Sequence, residues 1–353
     1  MTPKLIFASV ATSTMMLLLL GCSDDSGTMQ AAQSQQKAPC QEAIPQWWRN
    51  SSFNDGQDLS FYHLANYFTE FREAEQNLCL DPGADLNQLL SSGLSVDAAD
   101  ASGRTALMQA LIFHEGQQPT QFIDWLLNNG AAVNQADNNG VTALYFSPNG
   151  VITELLINHN AEVKHRDANG RTPFMARLAG NGITEEETQL LLSQGAEVNA
   201  KDKYGLTPLL YLTSQSSTAV SPKSIVGVLV QNGADIATTD EQGATALMRA
   251  TYAVEFSALA EALIEAGIDV NATDNNGRTV LFYIVTKFGD FYQRNSDIAP
   301  GDSRNLRPIL DLLKQADLDF NIADDDGYTA INYALKADNT NIASLLEEYG
   351  ATP

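Results

Sequence analysis

Seven copies of Asp-x-x-Gly-x-Thr dominate the 353-residue sequence, and self-similarity of this kind marks a repeat array. They begin at Asp100, Asp137, Asp167, Asp202, Asp240, Asp274 and Asp324, with glycine-to-glycine steps of 37, 30, 35, 38, 34 and 50 residues. A second signature precedes each turn, as in "LLNNGAAVNQAD", "LLLSQGAEVNAKD" and "LIEAGIDVNATD", with an earlier copy, "LLSSGLSVDAAD", before Gly103. The closing residues, "LLEEYGATP", repeat its start. Each threonine opens an apolar stretch such as "TALMQAL", where its hydroxyl can cap free backbone N–H groups. Each Leu-Leu ends a second helix, which the following glycine can stop in the left-handed conformation. One such helix pair cannot bury its own apolar side, so stacked neighbours must share a continuous core.

The Asp-Asn-Asn-Gly turns invite a calcium-loop reading, which needs oxygen ligands at loop positions 1, 3, 5 and 12 around a glycine at 6. With Gly277 at position 6, Ala272 and Tyr283 fall at the ends; with Gly327 there, Ile322 and Tyr333 do. None of the four is a carboxylate, so these are repeat turns in which Asn and Gly tolerate positive φ.

The turns and tails from about Leu86 to the carboxyl end resemble the ankyrin repeat. The resemblance implies an all-α repeat solenoid of helix–turn–helix units with β-turn or hairpin loops, and a role in holding another protein. The family's Thr-Pro-Leu-His is altered here. Its histidine, which ties neighbouring repeats by hydrogen bonds, is replaced by Met108, Tyr145, Met175, Leu210, Met248, Phe282 and Asn332, so joints between repeats are expected to rely more on packing. Pro148-Asn149-Gly150 must interrupt or shorten one helix pair. By family geometry the next position faces the concave side, where it holds Gln109, Phe146, Ala176, Tyr211, Arg249, Tyr283 and Tyr333. Four aromatics there could form an interface stripe or partly cover their own core. Lys203, Tyr204, Arg278 and Tyr328 at turn tips would flank it.

Between Tyr283 and Ile309 the chain carries extra residues, an insert at 286–306. Lys287, Phe288, Phe291, Tyr292 and Arg294 give it basic and aromatic character within an acidic chain. Long inserts on a rigid frame are often binding segments, the alternative being a segment packed locally on the array.

Ahead of the array, Lys4 and the apolar run Leu5 to Leu20 read as a secretory signal, the alternative being an uncleaved anchor. Leu19-Leu20-Gly21-Cys22 resembles the lipobox of bacterial lipoproteins, which implies lipidation of Cys22. More than one acyl chain gives stable anchoring. Ser23 after the cysteine leans toward the outer rather than the inner membrane of a Gram-negative envelope, with the chain facing the periplasm. The expected divisions are a signal at 1–21, a lipidated tether at 22–39, a capping region at 40–96 and the array at 97–353. The tether is polar, with a reach of roughly 20–25 Å. The capping region includes an amphipathic stretch from Phe61 to Leu78. Cys40 and Cys79 remain, and an oxidising compartment favours a bridge between them over two free thiols.

The formal charge is −23, from 20 basic and 43 acidic side chains. Such a surface repels nucleic acid and anionic lipid, and it could steer a basic protein toward the chain. His63, His114, His159 and His165 form no metal-ligand spacing; the last two are expected exposed. No nucleophile elbow, phosphate loop or dinucleotide glycine pattern occurs. The expectation is a non-enzymatic, monomeric binder of protein, without cofactor or metal, touching the membrane only through its lipid. An immunity protein or inhibitor facing a basic toxin or enzyme is one alternative. A structural spacer or a cryptic envelope hydrolase is another.

Overall fold

A computed structural model describes residues 95–112, 120–180, 182–213, 221–253, 256–294 and 306–353. In chain order these form α1 (Ala106–Ile112), α2 (Thr120–Asn128), a 3-10 helix (Ala143–Phe146), α3 (Gly150–Asn158), α4 (Pro173–Ala179) and α5 (Glu185–Ser193). There follow α6 (Pro208–Leu212), α7 (Pro222–Gln231), α8 (Ala246–Ala250), α9 (Phe256–Glu265), α10 (Val280–Arg294), α11 (Arg307–Gln315), α12 (Ala330–Lys336) and α13 (Thr340–Glu348). Among the described residues there is no extended strand, only single bridges within three of the turn loops.

The elements make seven helix pairs joined by finger-like loops. First helices stack on first helices, and second helices from α3 to α11 stack on one another. Between the two rows lie Leu107, Leu144, Phe174, Leu209, Leu247 and Leu281, each almost wholly buried. Burial of one such side chain contributes about 1.5–3 kcal/mol. No helix pair can gain this alone, because neighbouring repeats supply part of each contact surface.

Local chemistry sets the ends of the helices. The hydroxyls of Thr105, Thr172, Thr207 and Thr245 accept the N–H three residues on, at 3.3–3.5 Å. Second helices end at residues of positive φ: Gly130, Gly195, Gly233, Gly267 and Gly350, with Asn160 and Asp317 taking the same role. Pro148 shortens its pair as its position predicts. The first helix there is only the four-residue 3-10 turn, and Asn149 caps α3 by accepting from the Ile152 N–H at 3.1 Å.

A buried polar network joins that short pair to the next. Arg177 Nε and Nη2 donate to both oxygens of Glu187, at 2.7 and 2.9 Å. Thr153 Oγ1 also donates to Glu187 Oε1 at 2.7 Å, and Ser147 Oγ lies 2.6 Å from Thr153 Oγ1. All four residues are buried.

Contrary to the expectation of exposure, His165 is half-buried, its Nε2 2.8 Å from the Gly140 carbonyl oxygen. The joints also use more than packing. Tyr145, in place of the absent family histidine, donates its hydroxyl to the Arg171 carbonyl at 2.6 Å in the next loop.

Candidate protein-binding face

Each turn aspartate uses its two carboxylate oxygens differently. Oδ1 accepts the N–H groups two and four residues on, as at Asp137 (Asn139, 2.8 Å; Val141, 2.9 Å) and Asp274 (Asn276, 2.8 Å; Arg278, 3.0 Å). This folds the tip and leaves Oδ2 directed at the first helix of the same repeat. There it meets the side chain nine residues on, the position that family geometry assigns to the concave side. Gln109 Nε2 donates to Asp100 at 3.0 Å, and Tyr211 Oη to Asp202 at 2.8 Å. Arg249 Nη1 donates to Asp240 at 2.7 Å, Tyr283 Oη to Asp274 at 2.9 Å, and Tyr333 Oη to Asp324 at 2.5 Å.

Two positions break the series. Ala176 has no donor, and Arg171 Nε takes its place on Asp167 Oδ2 at 3.0 Å. Phe146 has none either, and Asp137 Oδ2 is buried without a hydrogen-bond partner among the described residues. Arg104 covers that site, with Nε 3.6 Å from Asp137 Oδ2 and the guanidinium 5.6 Å from the Phe146 ring centre.

Burial and the carboxylates together raise the phenols. Burial, then the hydrogen bond to Asp202, raises Tyr211 above its ordinary value; burial, then Asp274, does the same to Tyr283. For Tyr333 the Asp324 hydrogen bond leads and burial follows. These phenols are therefore donors fixed to their own turns, and what the half-buried side chains offer outward is ring edge and face.

The rings gather toward the carboxyl-terminal repeats. Tyr252 meets Tyr283 edge-on at 6.5 Å between ring centres, and Tyr333 meets Phe282 at 5.5 Å and Tyr328 at 6.4 Å. The Lys336 ammonium sits 3.2 Å from the Tyr328 ring centre. Tyr204, Tyr252, Tyr328 and Leu335 are 51%, 45%, 40% and 44% exposed. Tyr252 and Leu335 escape the sequence reading, although each lies two or three residues beyond a position it selects, Arg249 or Tyr333. At the turn tips, Lys203 covers the Tyr204 ring at 4.8 Å, and Arg278 is half-buried.

The insert is partly helical, because α10 runs unbroken from Val280 to Arg294. Lys287 is half-buried, donates to the Thr251 carbonyl and lies 5.8 Å from the Phe256 ring centre; burial lowers its pKa. It is a clamp onto the preceding repeat. The side chains of Phe288, Phe291, Tyr292 and Arg294, on the last turns of α10, lie outside the described residues, as do Cys22, Cys40 and Cys79. Among the described residues, no group of three or more His, Cys, Asp or Glu is arranged to hold a metal. No helix among them is long and apolar enough to cross a membrane.

Residues 146–240 match the family model described as ankyrin repeats (3 copies), and residues 102–138 match the ankyrin repeat. No curated protein matches the chain. Ankyrin repeats are thus present, the fold is an ankyrin-type helix–turn–helix solenoid, and such repeats are a protein–protein interaction module.

Proposed function

We propose, with an ankyrin-repeat array as premise, that this chain is a non-enzymatic envelope protein that grips another protein with the face formed by its first helices and turn tips. The observation that carries this reading is the row of half-buried Phe146, Tyr211, Arg249, Tyr283 and Tyr333, extended by exposed Tyr204, Tyr252 and Tyr328. Large rings held in place by hydrogen bonds lose little freedom on association, so they suit an interface. The turn carboxylates beneath them are already committed to backbone N–H groups. Lipid attached at Cys22 would hold the array at the periplasmic side of the outer membrane, on the strength of Leu19-Leu20-Gly21-Cys22 and Ser23. The insert at 286–306 would add contacts beside Tyr283. A basic partner is a second reading, favoured by the charge of −23, which would speed association and lose effect with salt.

The test is crosslinking in intact host cells with the tagged full chain, beside Tyr204→Ala/Tyr252→Ala and a deletion of 286–306. One defined protein recovered with the parent chain and depleted with the double variant supports the face. Equal recovery with all three chains sinks it. Loss only with the deletion moves the interface to the insert. Labelled palmitate incorporated by the parent chain and not by Cys22→Ser tests the anchor separately.

A further inference from the structure

Neighbouring loops are joined at two levels, and the joints are not all alike. At the tips, a backbone N–H of one turn donates to a carbonyl of the turn before it. These bonds are Asn138 to Ser102, Ala168 to Asn139, Lys203 to Asn169, Asn275 to Gln242 and Asp325 to Asn276, all at 2.9–3.0 Å. At the base, an asparagine side chain clamps the next loop through both of its polar atoms. Asn134 holds the Asn160 carbonyl (2.9 Å) and the Glu162 N–H (2.8 Å); Asn199 holds Gly233 (2.7 Å) and Asp235 (2.9 Å). Asn271 holds Asp317 (3.0 Å) and Asp319 (2.8 Å), while Asp97 accepts from the Ala132 N–H at 2.7 Å.

Two consecutive joints each lack one level. Between the Asp202 and Asp240 turns the base clamp at Asn199 is present, but no tip bond links Tyr204 to Glu241 among the described residues. A Cβ on Gly205 would meet nothing within 4 Å, whereas on Gly103, Gly140, Gly170, Gly243 or Gly277 it would meet the next turn within 3.4 Å. Between the Asp240 and Asp274 turns the tip bond is present, with Asn275 Nδ2 also donating to the Glu241 carbonyl at 2.9 Å. The base position there is Ala237, which has no side-chain donor or acceptor. The joint between the Asp167 and Asp202 turns has Lys164 at its base, yet Arg166 closes it through the Lys201 carbonyl (2.9 Å) and Glu197 (2.7 Å).

The geometry points to an articulation: among the described residues, the loop that starts at Asp240 is joined to the preceding loop at the base and not at the tip, and to the following loop at the tip and not at the base, while Lys223 pairs with Glu265 at 2.6 Å on the outer helices. It can open at the tip on one side and at the base on the other. Both motions leave the outer packing of α7 on α9 and the Lys287–Thr251 bond as pivots. Rotation there changes the spacing between Tyr204 and Tyr211 on one side and Arg249, Tyr252 and Tyr283 on the other. The array is thus two stiff stacks, with the turns from Asp100 to Asp202 in one and those at Asp274 and Asp324 in the other. Packed interfaces respond to strain by switching between discrete arrangements, so two spacings are expected rather than a continuum.

Paired spin labels measure this in the full chain. A genetically encoded ketone side chain carries the labels, which leaves Cys22, Cys40 and Cys79 untouched. Labels at Tyr204 and Asn276 span both weak joints; labels at the equivalent Ser102 and Asn169 span two joints with both levels intact. All four positions are exposed. The control pair should give one narrow distance distribution, and the Tyr204/Asn276 pair a second, longer population. Glu241→Asn with Ala237→Asn supplies the side chains that Asn275 and Asn199 use elsewhere, and should remove that longer population. Equal single peaks for the two pairs, or a longer population that the double substitution leaves unchanged, would overturn the articulation.

Discussion

At Phe146 a single missing oxygen separates this repeat from those of Tyr211, Tyr283 and Tyr333. Its turn aspartate keeps a buried Oδ2 that accepts no hydrogen bond, with only the Arg104 Nε at 3.6 Å beside it, and an unmet acceptor costs more than a typical bond contributes. Phe146→Tyr should therefore raise stability by about 1 kcal/mol, while Tyr211→Phe should lower it by about the same. Urea midpoints for the two variants check this, and a Phe146→Tyr that unfolds earlier than the parent refutes the pairing. Sequence alone reveals the aromatic row but not its use. The nine-residue offset between aspartate and ring is visible in the text. That it brings Oη within bonding distance depends on the turn folding back over its own helix.

Among the elements, α4 and α5 stand out by holding a buried ion pair, Arg177 with Glu187, against Thr153 of the pair shortened by Pro148. Removing one partner of such a pair costs about 3–5 kcal/mol, because the other charge is left buried and alone. Glu187→Leu or Arg177→Met should each reach that range, while Arg177→Met with Glu187→Leu should cost far less, since Thr153 and Ser147 can still pair with each other. A double-mutant cycle by thermal or urea unfolding measures the difference; additive losses would mean the two side chains act independently. The proline announces the shortened helix in the sequence. Nothing in the spacing of Arg177 and Glu187 announces the bridge, since it depends on α4 and α5 closing around Thr153 of the previous repeat. The asparagine clamps were legible in principle, as Asn134, Asn199, Asn271 and Asn321 recur at one place in the tail. Their bidentate role became clear only with the neighbouring backbone in place.

For the whole molecule, alkali is the informative stress. Tyr145, Tyr211 and Tyr283 lie well above the usual phenol value of 10.0, burial being the leading cause in each. Tyr349 is raised to about 12 by burial and then by its bond to Asp311. A phenol whose pKa is higher in the folded state gives stability that is complete below the unfolded value and lost as pH rises through the folded one. The array should therefore hold its unfolding midpoint up to about pH 10 and lose it progressively toward pH 12. Tyr349→Phe should flatten part of that decline; thermal midpoints across the range check both, and a parent midpoint insensitive to alkali would refute the linkage. The solenoid itself was legible throughout, because seven turns and their tails impose it. The articulation was legible only in part: Ala237 stands where other loops carry asparagine, but the absent tip bond between Tyr204 and Glu241 is a main-chain feature that no residue type announces.

The base clamps carry one more consequence. Asn134, Asn199 and Asn271 grip a carbonyl and an N–H of the following loop, and Asn321 does the same at Gly350 and Thr352. Asn134, Asn199 and Asn271 read only main chain, a carbonyl and an N–H that every residue but proline presents, while Asn321 also takes the Thr352 hydroxyl at 3.0 Å. Where such a clamp closes the joint, a unit can be duplicated, deleted or exchanged without finding a matching side chain next door, and its surface can diversify; the joint closed by Arg166 on Glu197 lacks that freedom.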